Sequence, residues 1–116
     1  MKTPETGSRE RILQAARQLF HERGFEGTAI ADILKAADVR SGTRDHLSAW
    51  KEARLVAVLD WYLEALMPEV MTPAFEQVAD PIERVFAVLT DYRGMLEMTD
   101  YNLGCPIGNL ALEVGD

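Results

Sequence analysis

Few side chains in this chain are suited to covalent chemistry. Cys105 is the only cysteine, and the two histidines are His21 and His46. Nothing in their spacing brings either imidazole to the thiol, so a nucleophile would have no base to activate it. Cys105 reads instead as a small buried thiol. Glu64, Glu69, Glu76 and Asp80 lack the paired spacing and apolar setting of acid–base catalysis. A single cysteine builds neither a cysteine zinc site nor an internal disulfide, and no phosphate-cradling loop is present. Met67, Met71, Met95 and Met98 read as pliable core filler. No catalytic residue, metal site or cofactor is expected, so the chain does not read as an enzyme.

Charge offers another kind of chemistry. The net charge is −7, which looks wrong for a polyanion binder until it is divided along the chain. Residues 1–67 hold ten cations and ten carboxylates, whereas residues 68–116 hold Arg84 and Arg93 against nine carboxylates. Contact with a polyanion is therefore confined to the first half. The plainer reading is that the acids simply solvate the second half. The polar start, Met1-Lys2-Thr3-Pro4-Glu5-Thr6-Gly7, is no signal peptide, and no apolar run reaches the roughly 18 residues of a membrane span. With one cysteine, these features suit the cytoplasm and predict no membrane contact.

The elements that would position these charges are all helical. Ile12, Leu13, Ala16, Leu19 and Phe20 recur at helical spacing over Ser8–Arg23, with Ser8 as a plausible cap and Gly24 as the stop. Phe25 should fold back onto that apolar face. A short second helix buries Ile30, Ile33, Leu34 and Ala37. Thr28 would cap it, and a left-handed turn at Asp38 would end it. A third helix is predicted over residues 41–48 and a fourth from about Lys51 to Met67, with Leu55, Val56, Leu59, Tyr62, Leu63 and Leu66 inward and Pro68 kinking or ending it. Asp80-Pro81-Ile82-Glu83 is the clearest start signal, combining a capping acid, a proline at the first helical position and an acid in the first turn. Val85, Phe86, Leu89, Tyr92 and Leu96 carry that stripe to about Met98. Asn102-Leu103-Gly104-Cys105-Pro106 breaks it before a last helix over Ile107–Val114. No segment alternates at period two, and the fold class is all-α.

Two short helices joined by a tight turn make a helix-turn-helix, whose second member lies in the major groove of DNA. The residues that fill this plan resemble the TetR family of transcriptional regulators. The resemblance runs through Arg9-Glu10-Arg11-Ile12-Leu13-Gln14-Ala15-Ala16, Leu19-Phe20, Glu22-Arg23-Gly24-Phe25 and Gly27-Thr28. It continues through Ile33, Ala36-Ala37-Asp38-Val39, Ser41-Gly42-Thr43, His46 and Lys51-Glu52-Ala53. Gly104-Cys105-Pro106-Ile107-Gly108-Asn109-Leu110-Ala111-Leu112-Glu113 resembles the start of the sixth helix in one subgroup. The resemblance implies a DNA-binding domain over residues 8–54, reading through about 30–49. A partial effector-binding and dimerisation domain would cover 55–116. It implies a homodimer on palindromic double-stranded operator DNA, released by a small-molecule effector, with repression as the expected outcome. Thr28, His46 and Lys51 would contact phosphates, and Ser41, Gly42 and Thr43 would approach backbone and base edges, with Arg40 and Arg44 as neighbouring cations. Trp61 and Tyr62, with Phe86 and Tyr92, would line the effector pocket, or else serve as core or dimer packing.

The third helix departs from that family pattern. Arg44 stands where an apolar residue is usual, Asp45, Leu47 and Ser48 stand where aromatics are usual, Ala49-Trp50 replace a Pro-Ser pair, and Arg54 replaces a leucine. Between Val39 and Leu47 there is no large apolar side chain. A lost buried anchor costs roughly 2–5 kcal/mol, a large part of the about 5–15 kcal/mol that holds a domain. Asp45 also repels phosphate, with Arg44 as a partial offset. These residues favour an alternative reading, a helical interaction module that has lost operator binding. The sequence is expected to stop within the sixth helix, leaving an apolar face open on the fourth and fifth.

Overall fold

The computed structural model describes residues 4–40 and 47–115. Among them every regular element is helical, as the missing period-two alternation predicts. The elements are α1 (Pro4–Arg23), α2 (Ile30–Ala36), α3 (Leu47–Leu66), a π-helical turn (Met67–Met71), α4 (Thr72–Gln77), α5 (Pro81–Met98) and α6 (Pro106–Val114). The chain forms two compact units. One comprises residues 1–59 and 105–116, the other residues 60–104. The last helix thus belongs to the first unit.

In the first unit, the α1 stripe packs as its spacing predicts. Ile12, Ala16, Leu19 and Phe20 are buried, joined by Ala15. Phe25 does fold back, its ring centroid 5.5 Å from that of Phe20. Gly24 ends the helix at φ +81°, and its N–H donates to the Phe20 carbonyl at 2.9 Å. The expected cap at Ser8 is corrected. The helix begins at Pro4, whose fixed φ and missing N–H suit a first turn, so Ser8 lies inside it. Ile33 and Leu34 of α2, Ala37 at its C-cap, Leu55 and Val58 of α3, and Leu110 of α6 complete this core.

Two further expectations change along α3. No break separates a third from a fourth helix near residues 49–50, because the backbone of Leu47 and Ser48 already belongs to α3. Val56 and Leu63, expected inward, are more than half exposed. A stripe identifies an apolar side but does not supply a neighbour to cover it.

In the second unit, Pro68 ends α3. Lacking an N–H, it cannot bond back to residue 64. The chain widens into the π-helical turn, which the Thr72 N–H closes by donating to the Met67 carbonyl. It then re-forms as α4, a short helix the periodicity did not reveal. The α5 start follows the sequence signal residue by residue. Asp80 is the N-cap, its carboxylate accepting from the Glu83 N–H at 3.0 Å, and Pro81 opens the helix. Yet α5 buries none of its residues. Val85, Phe86 and Leu89 are each 58% exposed, correcting their expected inward placement.

Candidate nucleic-acid interface

The candidate interface centres on the turn that joins α1 to α2. Gly24 supplies the left-handed step. At Gly27 a Cβ would collide with the Arg23 carbonyl, so the chain there comes too close to itself for a side chain. Thr28 is 1% exposed. Its hydroxyl oxygen lies 2.7 Å from the Gly24 carbonyl and 3.2 Å from the Leu19 carbonyl, so it donates into the turn and not outward. Thr28 therefore does not cap α2. The N-cap is Ala29, and the Asp32 carboxylate accepts from its N–H at 3.4 Å. Alanine has no polar group to return the bond, so only the acidic half of a capping box forms.

Side chains from α1 tie α2 in place. Arg11 Nε donates to the Ala37 carbonyl at 2.8 Å, holding the last turn of α2. Arg23 reaches the Asp32 carboxylate at 3.3 Å on the surface. Asp38 adopts φ +55°, the left-handed turn expected of it, and the Val39 N–H donates to the Leu34 carbonyl at 3.0 Å. Arg40 is exposed at the end of this turn. Ser41, Gly42, Thr43, Arg44 and His46 lie outside the described residues.

Lys51 sits in the second turn of α3, its ammonium 4.4 Å from the Phe25 ring centroid. The ring fixes the cation beside the α1–α2 turn without using up its N–H donors. Arg54, at the position where a leucine would be usual, lays its guanidinium 5.2 Å from the Trp50 ring centroid. The aromatic face thus accommodates a charged side chain at a mostly covered position.

The residue that sequence reasoning missed is Glu113. Its two carboxylate oxygens accept from the backbone N–H groups of Phe25 and Glu26, each at 2.7 Å. A carboxylate from α6 thus closes the turn that presents α2. The signal was there in the Gly104–Glu113 motif, but nothing in the motif names a partner 88 residues away. Cys105 is exposed, not buried, and its sulfur accepts from the Gly108 N–H at 3.3 Å as the N-cap of α6. The thiol is turned to the helix end instead of the core.

The four residues expected to line an effector pocket are all in the second unit. The Trp61 and Tyr62 rings meet edge to face at 5.4 Å. Phe86 is 58% exposed and Tyr92 is half-buried. A groove of about 430 Å³ in that unit is walled by other residues, Met71, Phe75, Pro81, Arg84, Val85, Val88 and Leu89. No described helix is long and apolar enough to cross a membrane. Among the described residues, no cluster of His, Cys, Asp and Glu could hold a metal ion.

Comparison with known proteins agrees with this geometry. Residues 12–43, from α1 through α2 and beyond, match the model of bacterial regulatory proteins of the TetR family. The chain is 30% identical over 110 residues to an uncharacterised HTH-type transcriptional regulator of Mycobacterium tuberculosis, covering 95% of this chain and 55% of that protein. It is 30% identical over 107 residues to the HTH-type transcriptional regulator LmrA of Bacillus subtilis, covering 91% of this chain and 56% of LmrA. It is 29% identical over 109 residues to the HTH-type transcriptional repressor DhaR of a Mycobacterium species, covering 94% and 53%. The chain spans about half the length of these relatives. No solved structure matches it. By the helical turn it builds and by these likenesses, the chain carries, over residues 12–43, the segment that marks bacterial regulatory proteins of the TetR family.

Proposed function

We propose that the protein is a cytoplasmic, DNA-binding transcriptional regulator, a ligand-responsive repressor acting as a homodimer on a palindromic operator. The observation that carries this reading is the α1–α2 turn. Thr28, Arg11 and Glu113 lock a seven-residue helix whose exit leads, through Asp38 and Arg40, into residues 41–46. A helix-turn-helix needs that locked first member to aim its second. The family match over residues 12–43 and the relatives named as transcriptional regulators support the same conclusion.

In this reading Arg40, Arg44, His46 and Lys51 supply phosphate contacts, and Ser41, Gly42 and Thr43 approach backbone and base edges. Thr28, expected at a phosphate, is 1% exposed and instead supports this region from inside, through its bonds to Gly24 and Leu19. An effector would bind within residues 60–104, either beside Trp61, Tyr62, Phe86 and Tyr92 or in the groove next to α5.

The test is a gel-shift titration with promoter DNA from the gene's own neighbourhood at several salt concentrations. Binding should weaken linearly in log affinity against log salt, and Lys51→Ala and Arg40→Ala should each lower the slope by about 0.9. Absence of binding at low salt would sink the regulator reading and favour the interaction-module alternative.

A further inference from the structure

We propose that the groove beside α5 binds a small amphiphilic anion, with Arg84 taking its carboxylate and the apolar walls taking its aliphatic or aryl tail. This deepens the ligand-responsive reading above and rests on it for its regulatory consequence, though not for the binding itself. The groove is formed within one compact unit by the π-helical turn, α4 and the first half of α5. Its volume of about 430 Å³ falls within the roughly 300–1,000 Å³ of small-molecule sites. Six of its seven wall residues are apolar, and the seventh is Arg84.

Arg84 is held in place before any ligand arrives. Its Nε donates to the Val78 carbonyl at 2.6 Å, and its guanidinium lies 5.5 Å from the Phe75 ring centroid. With Nε used and one face on a ring, the terminal N–H groups remain in the planar fork that matches a carboxylate. Residues 60–104 contain nine carboxylates and only two cations, Arg84 and Arg93. Arg93 pairs with Glu97 at 3.3 Å. Arg84, amid this acid excess, pairs with no carboxylate among the described residues. A fixed arginine without a counter-ion, flanked by apolar side chains, is the arrangement that recognises an anionic head on an apolar body.

The unit's acid excess sharpens the test, because a diffuse electrostatic response would favour cations over anions. The experiment is an NMR titration of the full chain with decanoate, decanol and decylammonium, each below its aggregation concentration. It follows the methyl signals of Met71, Val85, Val88 and Leu89. Decanoate should bind at least tenfold tighter than the other two. Arg84→Gln should abolish that preference while far-UV circular dichroism stays unchanged, and Arg84→Lys should retain part of it. If Arg84→Gln unfolds the chain, Val88→Trp, which fills the groove, should remove decanoate binding instead. Equal binding of decanoate and decylammonium overturns the proposal. So does a preference that survives Arg84→Gln, or methyl shifts that follow protein concentration and not ligand, which would assign the groove to a second copy. The DNA reading is scored separately. Decanoate that binds but leaves a working gel shift unchanged overturns the groove's role as an effector site, whereas a failed gel shift leaves the decanoate result to stand by itself.

Discussion

At the scale of single residues, two positions govern the turn that presents α2. Glu113 bonds two adjacent backbone N–H groups. Charge-assisted bonds of this kind contribute about 1.5–3 kcal/mol when buried, and water competes here because Glu113 is exposed. Glu113→Ala should therefore lower stability by about 1–2 kcal/mol in urea unfolding, with Glu113→Gln falling between it and wild type. Loss of amide exchange protection at Phe25 and Glu26 should accompany it, and an unchanged exchange pattern would contradict the contact. Gly24 is the other position. Its φ of +81° costs an L-residue roughly 1–2 kcal/mol, and a Cβ there would stand 2.8 Å from the Glu113 carboxylate. Gly24→Ala should be destabilising even in a Glu113→Ala background, because the backbone cost remains after the carboxylate is gone.

At the scale of elements, α2 is seven residues long, far below the roughly 12–15 at which an isolated helix becomes marginal in water. It is formed by packing: Ile33 is fully buried, Leu34 and Ala37 nearly so. Ile33→Ala should cost about 2–5 kcal/mol and should abolish the gel shift at temperatures where α5 remains helical. The α5 start is the opposite case. Asp80 and Pro81 nucleate that helix locally, which is why it was legible in sequence. The start of α1 at Pro4 and the extent of α3 back to Leu47 were less legible, because helix ends depend on what the flanking backbone touches. Ser8 is a competent cap by residue type, but a helix that already starts four residues earlier leaves it nothing to cap.

At the scale of the whole molecule, the open question is what meets the apolar row of α5. Phe86 is 58% exposed and lies outside the groove wall, and the proposed homodimer would cover it. Sedimentation should show self-association that increases with concentration, and Phe86→Asp, outside the groove wall, should reverse it. A monodisperse monomer at high concentration would speak against that use of the face.

The sequence by itself determined the helical class, the core stripes of α1 and α2, the left-handed steps at Gly24 and Asp38, and the α5 cap. Each is set by neighbours within about four residues, through backbone sterics, capping and helical period. Only the tertiary structure decided that Thr28 turns inward, that Cys105 and α5 are exposed, and that Glu113 reaches Phe25 and Glu26. It alone set Arg84 in a groove. Those outcomes depend on which surfaces meet after the chain folds, and periodicity records that a face is apolar without recording what, if anything, lies against it.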